Sequence, residues 1–417
     1  MVLLRSAIKA IVYSPLSPVS VRTIGGLLRA FGWLPRAASS TSVRHILVVQ
    51  AHNSLGDLVL SIPLLEEMHR LWPQAKVDVI VGDRMMGLFE QIPFVNRVIG
   101  YVPSRLRQPL ARFQDTVRLA LLCHRALDTP YDIALDPRWD SDPYAYLARV
   151  ACFFSGATER LAYSGSVDGR DRSLDQFLTR SAVGGSHEHE LLRKMRLVER
   201  TGLSDHKVQD SESLRVSAPL FNLSKTRQCE GARILRASGF EEGEPFGVLA
   251  PSASVANRMW PIESLSKVVK ALSAETGLRF LAIGALSEAG RCQQLERLNP
   301  GLVRSLAGQT GVLELCSIIA ESLIFIGNDS GPAHIAGMLG RNTIVVSPFP
   351  AELNGIDHMN SPRRFRPCGP RVRVLQPEHS LSPCRTFCES NGAHCVAQVS
   401  PEQVLEECMG LLQQLSR

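Results

Sequence analysis

Arg44-His-Ile-Leu-Val-Val-Gln50, then Ala51-His-Asn-Ser-Leu-Gly-Asp57, then Leu58–Leu71 read in order as a strand, a turn and a helix. The first run is short, β-branched and apolar without alternation, as a strand covered on both faces of a parallel sheet should be. Turn residues fill Ala51–Asp57, and an amphipathic pattern then runs to Leu71, just ahead of Pro73. The same alternation continues outward. Strands are expected at Ala75–Val81, Val95–Tyr101 and Tyr131–Asp136, with a helix near Met85–Gln91 and an Arg-rich helix after the third strand. Residues 205–225 are polar and aperiodic, which suits an interdomain linker. Beyond them the pattern restarts, with strands at Phe246–Ala250, Arg279–Ile283, Leu323–Ile326 and Asn342–Val346. Helices are expected at Ile262–Glu275 and Pro332–Leu339, and an amphipathic helix closes the chain from Pro401 to Leu415. Two such series predict an α/β protein of two doubly wound, Rossmann-like domains whose strand carboxyl ends face each other across a cleft. The expected boundaries are a leader at 1–43, domains at 44–215 and 216–400, and a closing helix at 401–417.

The bulk composition agrees. A chain of 417 residues is long enough for two cores, and 45% hydrophobic with 21% charged residues is a globular balance. The net charge of +6 suits a polyanionic ligand such as a sugar nucleotide or a phosphorylated lipid, without identifying one. With aromatics at only 6% and no dense basic stripe, nucleic acid is not an expected partner. Cys123, Cys152, Cys229, Cys292 and Cys316 sit singly in apolar runs, as small buried hydrophobes in a reducing compartment would. The first 44 residues hold Arg5, Lys9, Arg22, Arg29, Arg36 and Arg44 and no acid. The uncharged stretch between Lys9 and Arg22 contains Pro15 and Pro18 and is too short to span a bilayer. This leader reads as a basic extension lying on anionic lipid, with a transit peptide, a disordered tail or a misassigned start as alternatives.

Four stretches carry candidate chemistry. In Asn53-Ser-Leu-Gly-Asp57, directly after the first strand, Gly56 permits a tight turn, and Asp57 lies beside the free amides of a starting helix. A carboxylate there can accept a proton from a sugar hydroxyl, or simply cap the helix. In Gly327-Asn-Asp-Ser-Gly-Pro-Ala-His334, Ser330 can cap, Pro332 suits the first helical turn and Gly331 lets a ligand approach the backbone. The result is a helix N-terminus able to cradle a diphosphate, with Asp329 available to sugar hydroxyls and His334 either donating to a phosphate or packing. In Asn257-Arg-Met-Trp-Pro261, Arg258 can balance charge on a leaving diphosphate, or be a surface arginine beside a buried tryptophan. Finally, Cys384-x3-Cys388-x6-Cys395, with His394 adjacent and Cys368 upstream, departs from paired C-x2-C spacing. It is read as a cluster of reduced thiols without a metal, with a zinc or iron site as the alternative.

Taken together, these stretches resemble glycosyltransferase family 9, which contains the lipopolysaccharide heptosyltransferases. The likeness rests on Leu55-Gly-Asp57, Ser61-Ile-Pro63, Trp72-Pro73, Arg258-Met-Trp-Pro261, Gly284-Ala285…Glu288 and Asn328-Asp-Ser-Gly-Pro-Ala-His334. The terminal Cys384…Cys388…Cys395…Pro401-Glu402 follows in the same order, so the likeness spans roughly residues 44–417 and is loose over 160–240. The resemblance implies a GT-B fold, with the acceptor on the first domain and the donor on the second. It further implies inverting transfer of a heptose from ADP-heptose to a lipopolysaccharide inner-core acceptor, without metal or cofactor. Residue by residue, it makes Asp57 the general base and Arg258 the counter-charge to the leaving group, at a position where heptosyltransferases usually have lysine. It assigns the donor ribose to Glu288 and the donor sugar and diphosphate to Asp329, Ser330, Gly331, Pro332, Ala333 and His334. Arg105, Arg107, Arg112 and Arg118, on the Arg-rich helix, are candidates for acceptor phosphates. The implied setting is cytoplasmic, peripheral on the inner face of the bacterial inner membrane. Another nucleotide sugar or acceptor, a nucleotide-sugar epimerase and a non-catalytic homologue are the alternatives.

Overall fold

A computed structural model describes residues 42–102, 130–138, 145–164, 172–184, 188–208, 225–355, 358, 361–385, 388 and 390–414, with isolated positions at 22, 26, 27, 30 and within 115–123. The chain divides into two compact units. One comprises residues 1–53, 61–185 and 190–209; the other comprises 54–60, 186–189 and 210–417. The short segment Ser54–Leu60 therefore belongs to the second unit, although it directly follows the first strand.

The first unit is a six-stranded sheet built from β1 (His45–Gln50), β2 (Lys76–Gly82), β3 (Val95–Tyr101), β4 (Ile133–Asp136), β5 (Glu159–Tyr163) and β6 (Arg180–Ala182). Its order is β3-β2-β1-β4-β5-β6 and every neighbour is parallel. Central β1 is buried from Ile46 onward, as its unalternating sequence requires. Each such fully buried aliphatic side chain contributes roughly 1.5–3 kcal/mol. The expected helix at Leu58–Leu71 is two helices, α1 (Leu55–Val59) and α2 (Ile62–Leu71). Pro63 explains the restart, since it occupies the first turn of α2, where its missing amide costs nothing. Packed on the sheet is α3 (Ala145–Phe154), whose Leu147, Ala148, Ala151 and Phe154 join Leu47, Val49 and Ala134 in one core. A short helix, α4 (Glu190–Met195), lies against α2.

The second unit repeats the plan with β7 (Phe246–Ala250), β8 (Arg279–Ala282), β9 (Val303–Ser305), β10 (Ile324–Asn328), β11 (Asn342–Val346) and β12 (Val372–Leu375). Its order is β12-β11-β10-β7-β8-β9, again all parallel. Read from the other edge, this is the same winding as the first sheet. Helix α5 (Ile262–Thr276) ends at Gly277, whose φ of 71° is the left-handed stop that glycine tolerates best. After β10 comes α6 (Gly331–Met338), buried from Ala333 through Met338. The chain closes with α7 (Pro401–Gln413), held by a reciprocal cap in which Gln403 N donates to Ser400 Oγ and Ser400 N to Gln403 Oε1. Such a cap contributes about 1 kcal/mol. The architecture is GT-B, two Rossmann-like domains. Among the described residues no helix is long and apolar enough to cross a membrane.

Candidate functional site

In a doubly wound sheet the ligand edge lies at the strand carboxyl ends, where the winding reverses. In the second unit that point falls between β7 and β10. β7 leads to the 3-10 turn Ala256–Arg258, and β10 leads to Asp329 and α6. Asn328 joins the two. Its Oδ1 accepts from Trp260 N at 2.9 Å, and its Nδ2 donates to Pro251 O at 2.7 Å. Trp260 is buried and donates through Nε1 to Val399 O at 2.9 Å, while its carbonyl accepts from Arg291 Nη2. The first residue of the Asn328–His334 signature is thus a clamp on the loop that carries Arg258. Arg258 itself is half-buried. Asp329 is also half-buried, and its carboxyl is pushed above the ordinary carboxylate range by desolvation, with the Arg258 guanidinium pulling the other way.

The structure corrects the expected roles of two glycines. Gly56 was read as a tight-turn residue and Gly331 as room for a ligand. Gly56 lies inside α1, and a Cβ added there would stand 2.9 Å from His334 Cδ2. A Cβ on Gly331 would stand 2.8 Å from Leu55 Cβ. Both glycines let α1 and α6 touch, so the Leu-Gly-Asp helix packs against the helix of the Asn328–His334 signature. Asp57 is the third residue of α1 and not its cap; Ser54 holds the N-cap position and donates from Oγ to Asp57 Oδ2 at 2.7 Å. Ser330 occupies the N-cap of α6 in an extended conformation, but its side chain makes no capping bond and its buried Oγ has no hydrogen-bond partner among the described residues. The amide cradle is narrower than expected. Pro332 has no N–H and Ala333 N donates to Ser330 O at 3.1 Å, which leaves the amides of Ser330 and Gly331 to an anion. His334 is buried. Glu288, in the turn after β8, accepts from Ala285 N at 2.7 Å through Oε2, which fixes its carboxylate in place.

Arg105, Arg107 and Arg112 lie outside the described residues. Arg118 is exposed and ion-pairs at 3.9 Å with Asp115, one turn earlier. The first unit offers something the sequence reading missed, a buried polar cluster at its own point of reversal between β1 and β4. Lys194 Nζ donates to Ser61 Oγ at 2.8 Å, and Ser61 Oγ donates to Gln50 Oε1 at 2.9 Å. Arg138, just past β4, is buried and donates from its amide to Asp136 Oδ1 at 3.0 Å. Burial pushes the His52 imidazole well below its usual range, and the charges of Arg138 and Lys194 push it further. The one available signal was a strand ending in charge at Asp136-Pro-Arg138; nothing local marks Lys194. The terminal cysteines do meet. Cys384, Cys388, Cys395 and His394 converge, whereas Cys368 sits apart, its Sγ 3.6 Å from His189 Nε2.

The sequence profile of glycosyltransferase family 9 (heptosyltransferase) matches residues 146–391. Lipopolysaccharide heptosyltransferase 2 of Escherichia coli strain K12 is 24% identical over 374 residues, covering 86% of this chain and 96% of that protein. Lipopolysaccharide heptosyltransferase 3 of the same strain is 23% identical over 304 residues, covering 71% and 80%. Among solved structures, ADP-heptose lps heptosyltransferase II of E. coli superposes with a TM-score of 0.68 at 20% identity, covering 89% of this chain and 100% of that one. A family 9 glycosyl transferase from Veillonella parvula reaches 0.70 at 15% identity, covering 90% and 99%.

Proposed function

This chain belongs to glycosyltransferase family 9 and is a glycosyltransferase, and from that premise we propose that it moves a heptose from ADP-heptose onto a lipopolysaccharide inner-core acceptor. The observation that carries this reading is the packing of α1 on α6, which sets the helix bearing Asp57 against the first turn of Asp329–His334. In the proposed displacement the acceptor oxygen bonds to the anomeric carbon as the bond to the diphosphate breaks, inverting that carbon. Asp57 takes the acceptor proton and ADP departs. Arg258 and the amides of Ser330 and Gly331 meet the charge growing on the diphosphate, and Asp329 accepts from donor hydroxyls. With Oε2 of Glu288 committed to Ala285, the ribose contact falls to its other oxygen. Neither a metal nor a resident cofactor takes part in these steps.

On the same reading the first unit receives the acceptor. Its buried Arg138 and Lys194 suit anionic substituents, and neutral His52 adds a hydrogen-bonding group without a competing charge. The basic leader, with Arg105, Arg107, Arg112 and Arg118, would hold the protein on the anionic cytoplasmic face of the inner membrane, releasable by salt. A second reading, another nucleotide sugar or acceptor within the family, is favoured by the guanidinium at Arg258, a flat fork where the resemblance expects an ammonium.

A donor comparison tests the proposal. ADP-heptose, ADP-glucose and UDP- and GDP-sugars are added at equal concentration and thermal stability is read. A ligand at 100 times its Kd stabilises by about 2.7 kcal/mol. The largest shift is expected with ADP-heptose; a larger one with a UDP- or GDP-sugar would overturn the donor assignment.

A further inference from the structure

The terminal loop of the second unit carries a cluster that sugar transfer does not use. Cys384, Cys388 and Cys395 are buried and His394 is half-buried, and their four donor atoms lie within 4.8 Å of one another. His394 Nδ1 stands 3.5 Å from Cys384 Sγ, 3.9 Å from Cys388 Sγ and 3.5 Å from Cys395 Sγ. A tetrahedral ion with metal–sulfur bonds of about 2.3 Å and a metal–nitrogen bond of about 2.0–2.1 Å has N···S edges of roughly 3.5–3.6 Å. Two of the three N···S separations match such an edge, the third is a few tenths of an ångström longer, and all four donor atoms lie close enough to converge on one ion.

Ordinary packing explains this arrangement poorly. The three cysteines form a cluster of their own, while Val396 and Val399 of the same loop join the main core of the unit. None of the three is in a disulfide, and disulfide pairing among them would leave one over. Leu381 N donates to Cys395 Sγ at 3.5 Å, the kind of backbone bond that supports a metal thiolate from outside. The loop is also tied to the donor side of the unit. Asn257, next to Arg258, donates from Nδ2 to Cys388 O at 2.5 Å, and Trp260 Nε1 donates to Val399 O.

We propose that Cys384, Cys388, His394 and Cys395 hold one thiophilic divalent ion, zinc or ferrous iron, in a closed structural site that splints the Arg258 loop. Three metal–sulfur bonds form as three thiol protons leave, and neutral His394 adds the fourth bond through Nδ1. All four positions are filled by protein, so the ion is a brace and not a catalyst. The inference does not depend on the identity of the donor or acceptor.

The test uses the full chain, purified without added metal. Elemental analysis is expected to find about one zinc or iron per chain, and Cys384→Ser or Cys395→Ser to lower that at least tenfold. Because either variant could misfold, the wild-type chain is also stripped with a chelator and reloaded with cobalt(II). Tetrahedral visible bands and a sulfur-to-cobalt charge-transfer band are expected, together with three cysteines that react with a thiol reagent only after stripping. Less than about a tenth of an ion per chain with no cobalt spectrum, or thiols equally reactive before and after stripping, would overturn the site. For the splint, amide hydrogen exchange across residues 255–261 should quicken at least tenfold on stripping. Exchange unchanged there would overturn that half of the proposal.

Discussion

In the first unit the strands at the point of reversal, β1 and β4, lead to His52 and Arg138, and Lys194 joins them from α4. In the second, β7 and β10 lead to Arg258 and Asp329, and α6 brings a helix N-terminus. The two sheets share one strand order, so the backbone offers the same edge twice. The side chains make the edges different. The first gathers cations around a buried neutral imidazole; the second pairs one cation with one carboxylate beside open amides. Topology positions a site, and its chemistry is written in the few residues just past the strand ends. Asp57 sharpens the contrast, because it lies between the first two strands of the first sheet in sequence yet belongs to the second unit.

The largest effects should come from removing that borrowed carboxylate. Asp57→Ala is expected to lower kcat by about 10²–10⁴-fold, the usual contribution of a positioned base. Its melting temperature should change little, since Asp57 is not the cap of α1. A variant that melts early while keeping its specific activity would return Asp57 to a structural role and break the comparison.

Next comes Arg258. Replacement by alanine should cost about 10²–10³-fold in turnover, as for loss of one donor to a developing oxyanion. Arg258→Lys should recover much of it, since a point charge can serve a diphosphate. A lysine variant as impaired as the alanine would mean that the guanidinium fork itself is required, and the position would then read out donor geometry.

A smaller effect tests the contact that brings Asp57 to the second unit. Gly56→Ala places a methyl 2.9 Å from His334 Cδ2, and that ring is buried on α6. Overpacking of this kind costs roughly 1–3 kcal/mol. In a domain of this size each kcal/mol lowers Tm by about 2–4 °C. Gly290→Ala is the control, an exposed helical glycine with nothing within 4 Å of the added carbon, and it should be neutral or stabilising. Equal melting temperatures for the two variants would remove the helix contact from the account.

Much of this was legible in the sequence. Val95–Tyr101, Phe246–Ala250 and Asn342–Val346 are strands at the expected bounds, and in Asn342-Thr-Ile-Val-Val346 the β-branched run has few other ways to be buried. The break between α1 and α2 was not read, since the apolar pattern runs through Leu60 and Ser61 and only Pro63 marks a restart. Strands β5 and β6 were missed because Glu159–Tyr163 and Arg180–Ala182 are short and partly charged. The site residues on strand–turn–helix punctuation could be named in advance, whereas Lys194 could not. Its partner Ser61 is 133 residues away, and a buried lysine on a short helix leaves no local trace. Gly56 and Gly331 were found for the wrong reason. A sequence shows that a glycine is present, but not which neighbour needs the space.

The smallest effect concerns His52, and it measures the cationic character of the first unit directly. Burial and then the charges of Arg138 and Lys194 hold its folded pKa well below the usual 6.5. The unfolded chain, with an ordinary imidazole, therefore binds more protons than the folded one as pH falls below about 6.5. By linkage the contribution is present above that pH and is lost as pH falls, at up to about 1.4 kcal/mol per pH unit for one group. Between pH 6.5 and 5.5 wild type should lose about 1 kcal/mol that His52→Gln does not, read as the change in urea midpoint. Buried Asp136, whose carboxyl is pushed upward, acts in the opposite sense, but both proteins share it, so the difference between them isolates the imidazole. Lys194→Met separates the field from the burial. Removing a cation should raise the pH at which the His52 imidazole titrates in the folded protein, read by NMR, whereas a shift set by burial alone would not respond. An unmoved His52 titration in Lys194→Met would mean that Lys194 contributes no field there, and the first unit's contrast with the second would then rest on Arg138 alone.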